Sequence, residues 1–373
     1  MFQWLAQLKQ AKTIAILCMV CIIQYVGNAI AQDTFLSNNN FLTGFDANYS
    51  LDMMENKKEW KIDGKNIELF KALRKVGGNS FRVRIWTNDT GQCGKIHACK
   101  IAKNAQDAGL YPYLVFFLSE NWSDYVKQPA PSAWQNISFK EKEKKVFHYT
   151  SETAEYFKKA GVSTDLYAIG NEIDFGICGE YEEKWELRFN YEYMETRIWN
   201  KAAKVILAAE KGIKSINPDA KFVLHLTQWW NPEFCEHFLK TMINNGVQVD
   251  YLGLSFYPSS GMSKKNSFRD LSDSIAVAMK NTKRPVIICE YAYPSTSSFE
   301  GQFSSWNNVA SGYPLSEMGQ KEWINDFLSF CRKENNIKGS FYWSPEWYSE
   351  EMWKAFALFR EDGESKKSLQ SFK

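Results

Sequence analysis

Histidine is scarce in this chain, with four in 373 residues, and none stands in an H-x-H or H-E-x-x-H arrangement. A catalytic zinc needs several imidazole or thiolate ligands at set spacings, so zinc hydrolysis has no footing here. No glycine-rich phosphate loop and no G-x-S-x-G turn occurs, which removes the nucleotide-dependent and serine-hydrolase readings. The acids at Asp270, Glu300 and Glu350 lack the spacing of a calcium loop. Neither a metal nor a cofactor is expected. Charge of one sign is also missing: 45 Lys plus Arg stand against 43 Asp plus Glu, a net of +2. That balance gives no electrostatic reason for nucleic acid or an anionic membrane as partner.

What the chain has in excess is aromatic surface, 16% of residues with 14 Trp. Trp and Tyr offer flat apolar faces with a polar edge, which suit a core and also a cleft that stacks on sugars. The first 31 residues read as an address. Lys9 and Lys12 form a basic region, Thr13 to Ile23 is an apolar run of eleven residues, and Ala29-Ile-Ala31 precedes Gln32. This is the pattern of a secretory signal peptide, and the apolar run is short for a membrane-spanning helix. Residues 32–373 are then the exported domain, with no further run able to cross a membrane. Six Cys remain there, and Cys93 with Cys99 is the best candidate for a disulfide. Asn48, Asn88, Asn121 and Asn136 head N-x-S/T sequons. A monomer is the default, because no heptad seam or apolar edge argues for assembly.

Short apolar runs recur along the chain, each followed by a helical pattern. They are Leu42–Ala47, Ser80–Trp86, Tyr113–Leu118, Leu166–Gly170, Phe222–Leu226, Tyr251–Phe256, Val286–Tyr291 and Ser340–Trp343. Runs without polar alternation suit parallel strands buried on both faces. Helices are expected over Asn66–Val76, from Asn231-Pro232, from Ser316, and over a long stretch from Glu182 to Ile216. Eight such alternations with no linker point to a single (β/α)8 TIM barrel of the α/β class. In a barrel, the chemistry sits at the C-terminal ends of the strands.

Two of those ends carry a carboxylate, Glu172 after strand four and Glu290 after strand seven. A buried carboxylate is costly unless paired or hydrogen-bonded. Glycoside hydrolysis needs two, one as general acid and one as nucleophile or base. Strands four and seven face each other across an eight-strand barrel, so the pair can approach to about 5 Å, the spacing of a retaining enzyme.

Six motifs at strand ends carry a resemblance. They are Arg82-Val-Arg-Ile-Trp86, Ile169-Gly-Asn-Glu-Ile173, Leu224-His-Leu226, Leu252-Gly-Leu-Ser-Phe-Tyr-Pro258, Glu290-Tyr-Ala-Tyr-Pro294 and Tyr342-Trp-Ser-Pro-Glu-Trp347. In that order the chain resembles glycoside hydrolase family 53, the arabinogalactan endo-β-1,4-galactanases, from about Gly44 to Phe359. The resemblance implies a polysaccharide substrate, with Glu172 as acid/base and Glu290 as nucleophile. It places Asn171 on the sugar 2-hydroxyl and Arg84 beside Glu290, holding it ionised, with Arg82 as the alternative. It has Tyr257 donate to Glu290, His225 line the floor near Glu172, and Trp343 stack under the sugar. Trp86, Trp122 and Trp347 are candidates for further subsites.

The chain departs from the family at strand three, where Val115, Phe117 and Leu118 replace an Asp, a His and a Tyr, and at Ser344, where the family has Glu. Polar groups that would face the cleft become apolar. The reaction type therefore carries over more firmly than the galactan specificity. Two other readings stay open: a related β-glycanase with a different hexose polymer, and a catalytically silent glycan-binding barrel.

Overall fold

The computed structural model describes residues 40–373; the expected signal peptide at 1–31 lies outside the described residues. From Phe41 onward the chain forms one compact unit. Eight strands close a parallel barrel: β1 Leu42–Asp46, β2 Ser80–Ile85, β3 Tyr111–Phe116, β4 Leu166–Ile169, β5 Lys221–Leu226, β6 Tyr251–Phe256, β7 Val286–Tyr291 and β8 Ile337–Trp343. Each pairs with its neighbours in sequence, and β1 pairs with β8 to shut the ring. All eight expected strands are present.

The apolar runs form strands because both faces are covered. On β2, Phe81, Val83 and Ile85 join the core beneath the helices, while Arg82 and Arg84 turn into the lumen. Outside the ring lie α1 Leu69–Lys75, α2 Lys95–Asp107, α3 Phe139–Lys159, α4 Asn200–Lys214, α5 Pro232–Asn244, α6 Phe268–Thr282 and α7 Glu317–Lys333. The expected caps are in place: Asn231 accepts from Phe234 N–H ahead of Pro232, and Ser316 accepts from Gly319 N–H. The eighth helical position is filled by a short 3₁₀ turn, Lys367–Phe372, whose Phe372 ring lies 4.6 Å from Phe45. Gly77, at φ 108°, admits this turn, since a Cβ there would stand 2.3 Å from the Phe372 carbonyl oxygen.

Three expectations need correction. The stretch 66–68 is not helical: Trp60–Ile62 and Lys65–Ile67 form a hairpin around Asp63-Gly64, both at positive φ, and α1 begins at Leu69. The helix expected from Glu182 begins only at Tyr191 and passes through one π turn, Met194–Trp199, before α4. The residues before it form a small hairpin and a 3₁₀ turn, where Trp185, Leu187 and Phe189 fall two apart rather than at helical spacing. Cys93 and Cys99 are not bridged: all six thiols among the described residues are free and buried. Cys93 is held by Trp86 N–H on its carbonyl, and Cys99 is already inside α2.

Candidate active site

The C-terminal mouth of the barrel opens into a cleft of about 1320 Å³. Eight of the 14 Trp line it: Trp86, Trp122, Trp229, Trp230, Trp306, Trp343, Trp347 and Trp353. Glu172 and Glu290 both open into this cleft, from opposite sides of the ring. Neither reaches it by simple strand geometry. Glu172 follows Gly170 (φ 82°) and itself sits at φ 50°, a left-handed backbone that a non-glycine residue adopts only when its surroundings enforce it. Glu290 owes its direction to a bulge. The register between β6 and β7 slips, so that Leu254 faces Ile288 but Ser255 faces Glu290. Strict alternation would turn Glu290 away from Cys289, yet Cys289 contacts Tyr113 in the lumen and Glu290 also points inward.

Beneath the cleft lies a buried ionic layer. Arg82 Nη1 donates to Asp46 Oδ2 at 2.6 Å and to Glu290 Oε1 at 2.9 Å, and its Nη2 donates to Asn171 Oδ1 at 2.7 Å. Arg84 makes no direct bond to Glu290, although its charge, after that of Arg82, helps to hold the carboxyl pKa down. Its Nε pairs with Asp46 Oδ1 at 3.0 Å, and its Nη1 donates to the Tyr49 hydroxyl at 3.2 Å. The alternative, Arg82, holds Glu290. The Arg84 guanidinium lies under the rings of Tyr49, Trp122 and Trp343, at 4.5, 5.5 and 5.5 Å from their centroids. Two guanidinium groups against Asp46 and Glu290 make a closed balance of charge.

The two carboxylates sit in different fields. Burial raises the pKa of Glu290, but Arg82 and a 2.9 Å hydrogen bond from Tyr257 oppose the rise. Glu172 is raised well above the usual range by burial, then by the charges of Glu290 and Asp124, opposed by the Ser255 hydrogen bond and by no cation. Glu290 therefore ionises first, and Glu172 keeps its proton. Tyr257 is itself pushed up by burial and by Glu290, so its hydroxyl remains a donor.

Of the other expected contacts, Tyr257, Trp343, Trp86 and Trp122 line the cleft. Asn171 and His225 lie fully buried below it. Asn171 Nδ2 donates to the Ser123 carbonyl at 3.0 Å. His225 meets Glu172 only through Ser255: its Nε2 lies 2.9 Å from Ser255 Oγ, which lies 2.6 Å from Glu172 Oε1. Burial and then Arg82 pull the His225 pKa well down, so its ring is neutral. Trp347 stacks on Tyr49 with centroids 3.8 Å apart, which braces one of its faces.

Sequence reasoning missed Asp46 and Ser255. Ser255 stands in a quoted motif and Asp46 inside the first apolar run, and Ser255 shares a strand face with Tyr257 by period-two spacing. The cleft-facing role given to Val115, Phe117 and Leu118 needs correction. All three are fully buried, Phe117 against Trp122 at 5.6 Å and Leu118 at φ 54° in the outer core. Ser344 is buried too, its N–H on the Asp46 carbonyl at 2.7 Å. The Asn48 sequon is also inward: its Nδ2 donates to Asp46 Oδ1 at 2.7 Å and to the Arg82 carbonyl at 2.9 Å.

Residues 42–372 match the sequence pattern of glycosyl hydrolase family 53. The chain is similar to the endo-beta-1,4-galactanase of Bacillus subtilis (strain 168), 27% identical over 87% of this chain and 75% of that one. It is similar to the arabinogalactan endo-beta-1,4-galactanase of Cellvibrio japonicus (strain Ueda107), 29% identical over 86% of this chain and 84% of that one. Among solved structures, the family 53 catalytic domain of Ignisphaera aggregans superposes with a TM-score of 0.78 at 24% identity, covering 90% of this chain and 96% of that one. That likeness carries the fold.

Proposed function

The chain belongs to glycosyl hydrolase family 53 and is a glycoside hydrolase; from that premise we propose that it is an exported retaining endo-β-1,4-galactanase. The observation that supports this most is the unequal pair of carboxylates in one cleft. Glu290, held by Arg82 and Tyr257, is the one suited to attack an anomeric carbon. Glu172, buried without a cation, is the one suited to hold a proton. In the first step Glu290 bonds to the anomeric carbon while Glu172 gives its proton to the departing glycosidic oxygen. In the second, Glu172 takes a proton from water, whose oxygen displaces Glu290. The half-buried cleft Trp, namely Trp86, Trp122, Trp230, Trp306 and Trp347, supply stacking faces along a sugar chain.

Reducing-sugar release from linear β-1,4-galactan tests this reading, with β-mannan, β-glucan and xylan alongside. We expect short galactose oligomers from the wild type, and a loss of activity by orders of magnitude in folded Glu172→Gln and Glu290→Gln. Full turnover in either variant would sink the assignment of roles. One observation favours a second reading, a related β-glycanase. The floor under Trp122 is built from Phe117, where the family has His. Release from another polymer but not from galactan would establish it. The signal-peptide pattern at 1–31 supports export, and amino-terminal sequencing of secreted protein beginning at Gln32 would check it.

A further inference from the structure

We infer that Ser255 and His225 are positioning residues that set the proton on Glu172, because the one hydroxyl proton of Ser255 is contested by His225 Nε2 and Glu172 Oε1. The inference rests on Glu172 being the acid/base.

The directions of the hydrogen bonds follow from Arg82, which can only donate. Arg82 Nη2 lies 2.7 Å from one amide atom of Asn171, so that atom is the oxygen. The other amide atom lies 3.0 Å from the Ser123 carbonyl, so it is the nitrogen. A flip of Asn171 is thereby excluded. Asn171 Oδ1 also lies 3.1 Å from His225 Nδ1, and only an N–H on that ring nitrogen satisfies it. The competing arrangement, a bare Nδ1 accepting from Arg82 Nη2, has the longer contact, 3.4 Å. A neutral ring with its proton on Nδ1 leaves Nε2 bare, as an acceptor. The group it meets is Ser255 Oγ, at 2.9 Å.

Ser255 then has one proton and two acceptors. With Glu172 protonated, every group is served: the Glu172 carboxyl donates to Ser255, Ser255 donates to His225 Nε2, and His225 Nδ1–H donates to Asn171. With Glu172 ionised, Ser255 turns to the carboxylate at 2.6 Å and leaves His225 Nε2 buried without a donor. An unserved buried acceptor costs free energy. His225 thus penalises the ionised form of Glu172 and favours the acid. When substrate is bound, the Glu172 proton turns from Ser255 to the departing oxygen and is given up there; Ser255 keeps its own proton and turns to the new carboxylate. One hydroxyl so serves the acid in the first step and the base in the second. The other groups facing Glu172 are Glu290 from β7, Asp124 and Tyr125 beyond β3, Asp174 from its own loop, and Tyr257 beyond β6. None of these exchanges donor and acceptor roles with Ser255.

The test pairs a spectrum with a rate profile. The chain has four His, so nitrogen-15 spectra of the full protein identify the tautomer of His225, with His225→Gln assigning its signal. At mildly acid pH we expect Nδ1 protonated and Nε2 bare, both in the wild type and in Glu172→Gln, whose amide donates to Ser255 as the acid does. A proton on Nε2 would overturn the inference. In the rate profile, His225→Asn retains a group near Asn171 but removes the acceptor for Ser255. The alkaline limb of kcat/KM, which reports the acid, should then move down by about one pH unit, a tenfold change in ionisation. His225→Gln can present an oxygen to Ser255 and should hold the limb in place. A fall in kcat at every pH with no movement of the limb in His225→Asn would mean a purely structural histidine. Should His225→Asn fail to fold, the wild-type tautomer still decides. If Glu172→Gln keeps full turnover, the acid/base reading fails, while the tautomer, measured without turnover, still reports the proton arrangement.

Discussion

Tyr257 shows how much of the site hangs on single hydrogen bonds. Its hydroxyl donates to Glu290 Oε2 at 2.9 Å, while Arg82 occupies Oε1 at 2.9 Å. Removing a donor from a carboxylate favours its neutral form. Tyr257→Phe should therefore raise the Glu290 pKa and move the acid limb of kcat/KM upward by roughly half a pH unit to one unit. The alkaline limb, set by Glu172, should move less, and a pH–rate profile checks both. The residue scale is also where the sequence was ambiguous. Arg82 and Arg84 are two apart on one strand and must share a face, so alternation could not say which meets Glu290. Depth decides it: Arg82 lies level with Asn171 and Glu290, and Arg84 with Tyr49 and the aromatic roof.

At the scale of elements, the strands were legible and several of their connections were not. All eight apolar runs became strands because burial on both faces leaves a plain signature. The hairpin at 60–67 carried a signal too, since Asp63-Gly64 is a strong two-residue turn, but the apolar spacing of the following helix masked it. The bulge in β7 has no such signature, yet it aims Glu290. α4 holds a different kind of buried acid. Glu210 is 4% exposed; one oxygen accepts from Gln248 N–H at 3.2 Å and the other has no partner. Burial pushes its pKa up to about 8. An acid whose folded pKa is raised binds more protons folded than unfolded, so its contribution is greatest at acid pH and declines as pH rises toward that value. Glu210→Gln keeps an acceptor for Gln248 and removes the charge. It should raise the thermal midpoint by a few degrees above the folded pKa of about 8 and change it little in acid, by calorimetry at both pH values.

The whole molecule is close to electrically neutral, with 45 basic against 43 acidic residues. Its cleft joins eight Trp to a mixture of acids and lysines, among them Asp52, Asp124, Lys58 and Lys127. A neutral polysaccharide held by stacking gives no term for salt to screen. KM on galactan should therefore stay within about twofold from low salt to about 1 M, where the screening length falls to ~3 Å. A steep rise would mean that charge carries the binding.

The Asn48 sequon has a bearing on how the protein can be made. In the folded barrel its side chain is sealed between Asp46 and the Arg82 backbone, with no exposed surface. An oligosaccharide can join it only while the chain is still emerging and unfolded, and once joined it forbids β1 from docking beside β2. In a eukaryotic secretory host, glycosyl transfer and barrel closure compete for the same asparagine, and a chain glycosylated there cannot restore its bonds to Asp46 and the Arg82 carbonyl.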